Sequence, residues 1–194
     1  MTDADDATRT WPEFRCRDEA VIPGPVEHTW AAITDLSTYA AWWTLVRVTP
    51  LDPDRSVLGP GVRFHITGAR PGQPAATGWN VAVTEVVPHE RIDLTYTDGD
   101  LVGTVSWELA PADGGTRVAY VYHGVRPTHA RSAASFDRYG TGLHSVAMQV
   151  DALAGLARFV TGQPLDDGWR DQVATAMAAG LAALPESPVP EPPS

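Results

Sequence analysis

The hydrophobic pattern changes period near Pro127, and this constrains the fold more than any other feature. From Leu45 to Val125 apolar residues recur every second position, as on a half-buried strand. VRFHITG places Val62, Phe64 and Ile66 on one face and Arg63, His65 and Thr67 on the other. Trp79, Val81 and Val83 share a face in the next run, then Ile92, Leu94 and Tyr96, then Val105, Trp107 and Leu109, then Val118, Tyr120 and Tyr122. Asp98-Gly99-Asp100 and Asp113-Gly114-Gly115 supply hairpin turns between these runs. Such a succession implies an antiparallel meander with one buried face. Arg47, Arg63 and His65 alternate with Val46, Val48, Phe64 and Ile66, so they are expected on the outer face.

Beyond Pro127 the spacing is helical. Phe136, Tyr139, Leu143, Val146, Val150, Leu153, Ala157 and Val160 trace one face of a long helix. Gly140, Gly142 and Gly155 interrupt it, each costing roughly 1 kcal/mol against alanine, and the first two mark a bend or a wide space against the sheet. After Gln163-Pro164, Asp166 and Asp167 are placed to cap a further helix with Trp169, Val173, Met177, Leu181 and Leu184 as its stripe. Ahead of the meander, Phe14–Val21 reads as a strand broken by Pro23-Gly24-Pro25. Two short helices follow, VEHTWAAI and LSTYAAWW, with Asp35 as the cap of the second and Trp30 as a core residue.

The expected architecture is α+β: about seven strands in a curved antiparallel sheet wrapped around a long C-terminal helix. It forms a single domain over residues 13–184, with 163–184 as an additional helix. Residues 1–12 and the proline-rich stretch 185–194 are expected to be disordered, and the turn-rich ARPGQPAA to be a loop.

Composition excludes several classes. The chain of 194 residues carries a net charge of -10, which disfavours binding to phosphate backbones or anionic membrane surfaces. All 14 basic residues are arginine, so no lysine is present to form a Schiff base or a phosphate-loop contact. Cys16 is the only cysteine. It permits neither an intrachain disulfide nor a thiolate cluster, and reads as a half-buried strand residue. The six histidines (28, 65, 89, 123, 129 and 144) show no tight metal-ligand spacing, and no metal or cofactor is expected. His123 and His129 flank Pro127 and are expected in a loop. No apolar run is long enough for a membrane span and the N-terminus lacks a signal-peptide core, so the cytoplasm is the expected location.

The segment AVIPGPVEHTWAAITDLSTYAAWW resembles the opening of the START-related, pollen-allergen-like superfamily known as SRPBCC, through Pro25, Trp30, Asp35, Tyr39 and Trp42. GGTRVAYVY after WELAP matches a second common feature of it. Within the superfamily the chain most resembles the polyketide cyclase/dehydrase-like group, over residues 14 to 162. The resemblance implies a helix-grip fold with an internal cavity for an apolar small molecule. It does not fix function, because this fold hosts enzymes, carriers and chaperone regulators.

Residue chemistry then suggests a site. Trp79, Tyr96, Trp107, Tyr120 and Tyr122 share the apolar face of the sheet, either filling a core or lining a hollow with polar tips. Trp42, and Leu143 and Met148 from the cover helix, are assigned to the same ligand-binding wall. His144, at the flank of the helical stripe, is the best acid–base group available there, with Tyr122 and Tyr120 as partners. The resemblance to the polyketide cyclase/dehydrase-like group makes a cofactor-independent cyclase/dehydratase of secondary metabolism, acting on a hydrophobic substrate, the leading expectation. A non-catalytic lipid or metabolite carrier is the first alternative, distinguished by a cavity without a titratable group. A chaperone-regulator-like interaction domain is the second. It would use the helix 166–184 to meet a partner or a second copy in a homodimer, and it loses its motivation if Trp169, Val173 and Met177 are buried within their own chain.

Overall fold

Seven strands form one antiparallel sheet in the computed structural model, which describes residues 11–68, 77–163, 165–166 and 168–184. They are β1 (Phe14–Pro23), β2 (Val46–Pro50), β3 (Arg63–Gly68), β4 (Thr77–Val87), β5 (Arg91–Gly99), β6 (Leu101–Ala112) and β7 (Gly115–Pro127). The order across the sheet is β1-β7-β6-β5-β4-β3-β2. Strands β2 to β7 are therefore a meander, and β1 pairs with its last strand. The alternation that predicted the meander also sets its burial. Phe64, Ile66, Val81, Val83, Ile92, Leu94, Val105 and Val118 are buried, while Arg47 and Arg63 are exposed.

Between β1 and β2 lie helix α1 (Val26–Thr34) and a 3₁₀ turn, Leu36–Ala41. Asp35 caps that turn, accepting from Ser37 N at 2.9 Å and Ser37 Oγ at 2.7 Å. The chain then reverses at Trp42 and Trp43, both buried.

The cover is not one uninterrupted helix. It runs as α2 (Ala130–Tyr139), α3 (Gly142–Ala147), a π-helical stretch (Met148–Leu153) and α4 (Ala154–Val160). Gly140 ends α2 at φ 55° and produces the bend, a conformation that glycine adopts without steric cost. The π stretch holds Asp151, fully buried, which accepts from Thr44 Oγ1 at 2.7 Å, Thr44 N at 3.2 Å and Leu45 N at 2.8 Å. One carboxylate thus ties the cover to the turn before β2.

Other sequence expectations need correction. His123 is not in a loop: it lies in β7, exposed, with its ring nitrogen 2.8 Å from Ser106 Oγ. The strand continues to Pro127, which lies past the last β1 pair, Phe14–Val125, and is still paired with Leu101 of β6. His129 is the cap of α2. The final helix, α5 (Trp169–Ala183), begins at Gly168 with no side-chain cap from Asp166. Trp11 is buried, although the stretch around it was expected to be loose. Asp167, the whole ARPGQPAA loop, and the stretches 1–10 and 185–194 lie outside the described residues.

Helix α5 packs on its own chain. Trp169, Val173 and Met177 are buried against Leu45, Leu143, Val146, Ala147, Val150 and Ala154. The main core lies between the sheet, α1 and the second half of the cover, around Ile33, Trp42, Phe64, Ile92, Trp107, Leu153 and Leu156.

Candidate functional site

Toward the α2–α3 end, the sheet and its cover do not meet, and a cavity of about 170 Å³ remains. The sheet contributes Trp79, Tyr96, Leu101, Tyr120 and Tyr122. The cover contributes Ser132, Phe136, Gly140, Leu143, His144, Ala147 and Met148, and Met177 of α5 closes one side. No Asp, Glu or Arg lines it among the described residues.

The tyrosines form a cluster. Tyr96 Oη and Tyr120 Oη are 2.5 Å apart, one hydroxyl donating to the other. The rings of Tyr120 and Tyr122 lie 6.0 Å apart, edge to face, as do those of Tyr96 and Tyr122 at 6.2 Å. Burial pushes the Tyr96 phenol up to about 12. It pushes Tyr120 and Tyr122 well above the ordinary value, and the neighbouring phenols add to the effect. All three are therefore neutral hydroxyls near pH 7, able to donate hydrogen bonds and unsuited to act as bases. Trp79 Nε1–H, also at the cavity, has no hydrogen-bond partner among the described residues. A buried donor of this kind favours a ligand that brings an acceptor.

Among the described residues, the titratable group in the cavity wall besides these phenols is His144. It stands over the tyrosines, with its ring 4.1 Å from that of Tyr122 and 5.8 Å from that of Tyr120. Its Nδ1 lies 3.0 Å from Oδ2 of Asp18, a carboxyl on β1 that is 5% exposed. An ionised carboxylate only accepts, so in that state Nδ1–H is the donor to Asp18, and in the neutral imidazole this leaves Nε2 as the bare nitrogen. Strand β1 explains why Asp18 is there. Cys16, Asp18, Ala20 and Ile22 alternate onto its inner face, and the register sets Asp18 opposite Tyr120 and Cys16 opposite Tyr122. Cys16 Sγ is 3.8 Å from Asp18 Oδ2 and 3.7 Å from His144 Nδ1. Burial, with the Asp18 charge second, pushes its thiol up to about 12, so it is protonated at neutral pH.

The structure thus brings together His144, Tyr122, Tyr120, Tyr96, Trp79, Leu143 and Met148 at one cavity. It does not place Trp42 and Trp107 there. Both are fully buried beneath it, 6.3 Å apart edge to face, and Trp42 Nε1 donates to Thr38 Oγ1 at 3.1 Å. Trp43, the next residue, lines the cavity instead, because the irregular turn after the 3₁₀ segment decides which of the two indoles faces in. Sequence reasoning also missed Asp18. The available signal was an aspartate in phase with Ala20 and Ile22 on an otherwise apolar strand face.

A curved sheet that grips a helix around an internal cavity defines a helix-grip ligand-binding domain. The chain belongs to the family described as Activator of Hsp90 ATPase homolog 1-like protein, whose model matches residues 23–155. It is similar in structure to TTHA0849 from Thermus thermophilus, with 21% identity over 78% of this chain and 98% of that one at a TM-score of 0.57. Protein CV1439 from Chromobacterium violaceum is 20% identical over 75% of this chain and 96% of that one, at a TM-score of 0.54. DynU16, from the dynemicin biosynthetic locus, is 20% identical over 79% of this chain at a TM-score of 0.53; the chain spans 49% of its length. At these identities the likeness is one of fold. No curated protein sequence matches the chain. No helix among the described residues is long and apolar enough to cross a membrane.

Proposed function

We propose that this domain is a cofactor-independent cyclase/dehydratase of the polyketide-cyclase type, acting on a neutral aromatic or polyketide-like carbonyl compound. The observation that carries the reading is the Asp18–His144 pair at the wall of an otherwise apolar cavity. A carrier needs only apolar burial. A buried carboxylate that fixes the tautomer of a cavity-lining imidazole has a use in proton transfer.

The ligand class follows from the lining. A cavity of roughly 150 Å³ accommodates benzene, so about 170 Å³ suits one ring or a folded acyl segment. Among the described residues no arginine joins His144 in the wall, and the aromatic rings favour a flat, neutral ligand.

In the proposed reaction His144 Nε2 removes a proton from the carbon next to a ketone. The enolate oxygen accepts hydrogen bonds from the tyrosine hydroxyls or from Trp79 Nε1–H. The enolate carbon bonds to a second carbonyl carbon of the same molecule, and the new alkoxide takes the proton back from His144. Dehydration repeats the proton removal at the same carbon and returns the proton to the departing hydroxyl, which leaves as water. Asp18 holds the imidazolium in place throughout. With no lysine in the chain the enamine route is closed, and the enolate route requires only the groups present. The family resemblance and the occurrence of this fold in a biosynthetic locus support a role in secondary metabolism.

The chaperone-regulator reading is weakened because the apolar face of α5 is covered by its own chain. The test is turnover of a cyclisation-prone poly-β-ketone by the purified chain. Product formation that falls at least about 100-fold in His144→Ala supports the reading, the general-base contribution being of that order. Equal turnover in wild type, His144→Ala and Tyr122→Phe overturns it.

A further inference from the structure

Behind the cavity wall, β1 and α3 bring three different donor atoms to one point. Cys16 Sγ, Asp18 Oδ2 and His144 Nδ1 are separated by 3.0 Å (N to O), 3.7 Å (S to N) and 3.8 Å (S to O), and all lie within 4.8 Å of one another. A tetrahedral zinc-type ion, with bonds of about 2.3 Å to sulfur and about 2.0–2.1 Å to nitrogen and oxygen, holds such donors about 3.3–3.6 Å apart. The three atoms match that triangle to within a few tenths of an ångström.

We propose that Cys16, Asp18 and His144 form a binding site for a single thiophilic divalent transition-metal ion of the zinc class, with its remaining coordination position left to water or to a ligand in the adjoining cavity. The six histidines show no ligand spacing along the chain; the site arises from folding, which sets residues 16 and 18 on one face of a strand beneath residue 144. The mixed sulfur, nitrogen and oxygen set selects a borderline-soft ion over magnesium or calcium. Charge also fits. A thiolate, a carboxylate and a neutral imidazole around a divalent ion sum to zero, which suits a largely buried place.

Loading releases one proton, that of the Cys16 thiol, while the imidazole proton passes from Nδ1 to Nε2. Metal-bound His144 then presents Nε2–H, a donor, in place of a bare nitrogen. The metal and the Asp18-bound proton exclude one another at Nδ1, so metal loading suppresses base catalysis by His144. The site itself does not depend on whether the chain turns over any substrate, and either claim can fail alone.

Cobalt(II) titration of the full chain tests the proposal. Cys16 is the only cysteine, so any thiolate-to-cobalt charge-transfer absorption reports this residue. The expected result is that band at one equivalent, with the visible intensity of a four-coordinate ion, displaced by zinc. Cys16→Ser abolishes the band, and Asp18→Asn and His144→Gln each weaken cobalt binding at least about tenfold, with folding checked by circular dichroism. Absence of the band from the folded wild-type chain at saturating cobalt overturns the proposal without recourse to any variant. So does a band with the same cobalt dependence in both Asp18→Asn and His144→Gln.

Discussion

Gly155 of the cover helix rests directly on the backbone of Trp42: a Cβ at this glycine would overlap the Trp42 carbonyl oxygen. Sequence reasoning counts Gly155 only as a cost to the helix, roughly 1 kcal/mol against alanine. The packing reverses the sign. In Gly155→Ala the overlap is with main chain, which no side-chain rotation relieves, and overpacking of this kind costs about 1–3 kcal/mol or more. The substitution is expected to destabilise despite its helix propensity, lowering the melting temperature by several degrees in a thermal scan.

Asp151 gives a second stability prediction. Its two carboxylate oxygens accept from three donors on Thr44 and Leu45. In Asp151→Asn one oxygen becomes an NH₂ group facing a backbone N–H or the Thr44 hydroxyl. The expected loss is about 1–3 kcal/mol, the cost of a buried unsatisfied group, read from chemical denaturation midpoints. Because this residue joins the cover to the turn before β2, native-state hydrogen exchange is expected to accelerate first at residues 44 to 46.

The buried phenols set an alkaline limit. Burial raises the folded-state pKa of Tyr96 from the ordinary 10.0 to about 12, and it also raises those of Tyr120 and Tyr122 well above the ordinary value. Below pH 10 these residues are protonated in both states and their contribution is complete. As the pH rises past 10 the unfolded chain ionises and the folded chain does not, so stability falls by roughly tenfold in the folding equilibrium per pH unit for each such tyrosine. A spectrophotometric titration is expected to show these phenols silent near pH 10 and appearing together as the chain unfolds. Independent titration at the ordinary value, with the fold intact, contradicts this.

Cys16 should be a poor nucleophile. A thiol moved from 9.0 to about 12 holds roughly 1000-fold less thiolate at neutral pH than an unperturbed one, and alkylation follows the thiolate. With chelator present, iodoacetamide is expected to modify the folded chain slowly. Asp18→Asn removes the charge that opposes ionisation and accelerates the reaction. Equal rates in the two proteins would remove Asp18 from the account of this thiol.

The fold was legible because alternation fixes which face of a strand is buried. From the phase of Val81, Leu94, Val105 and Val118 follow the inward set and the curved meander. Residues that depend on irregular geometry were less legible. The choice between Trp42 and Trp43 is made by a turn after a 3₁₀ segment, which periodicity does not describe. The bend at Gly140 was visible as a glycine, but the π stretch around Asp151 had no sequence signal. His144 could be found on the flank of a helical stripe. Its partner could not, because proximity across 126 positions is set by the sheet order that returns β1 to the side of β7.

Carbon–hydrogen exchange tests the central claim, that His144 held by Asp18 moves protons on a carbonyl ligand inside the cavity. A small neutral aryl ketone is incubated with the metal-free chain in deuterated buffer, and loss of its α-protons is followed by NMR. The account predicts exchange well above the buffer rate, lowered roughly 100-fold or more in His144→Gln and by a smaller factor in Asp18→Asn, with ketone binding retained in both. Exchange at the buffer rate while the ketone is bound to the wild-type cavity would contradict it.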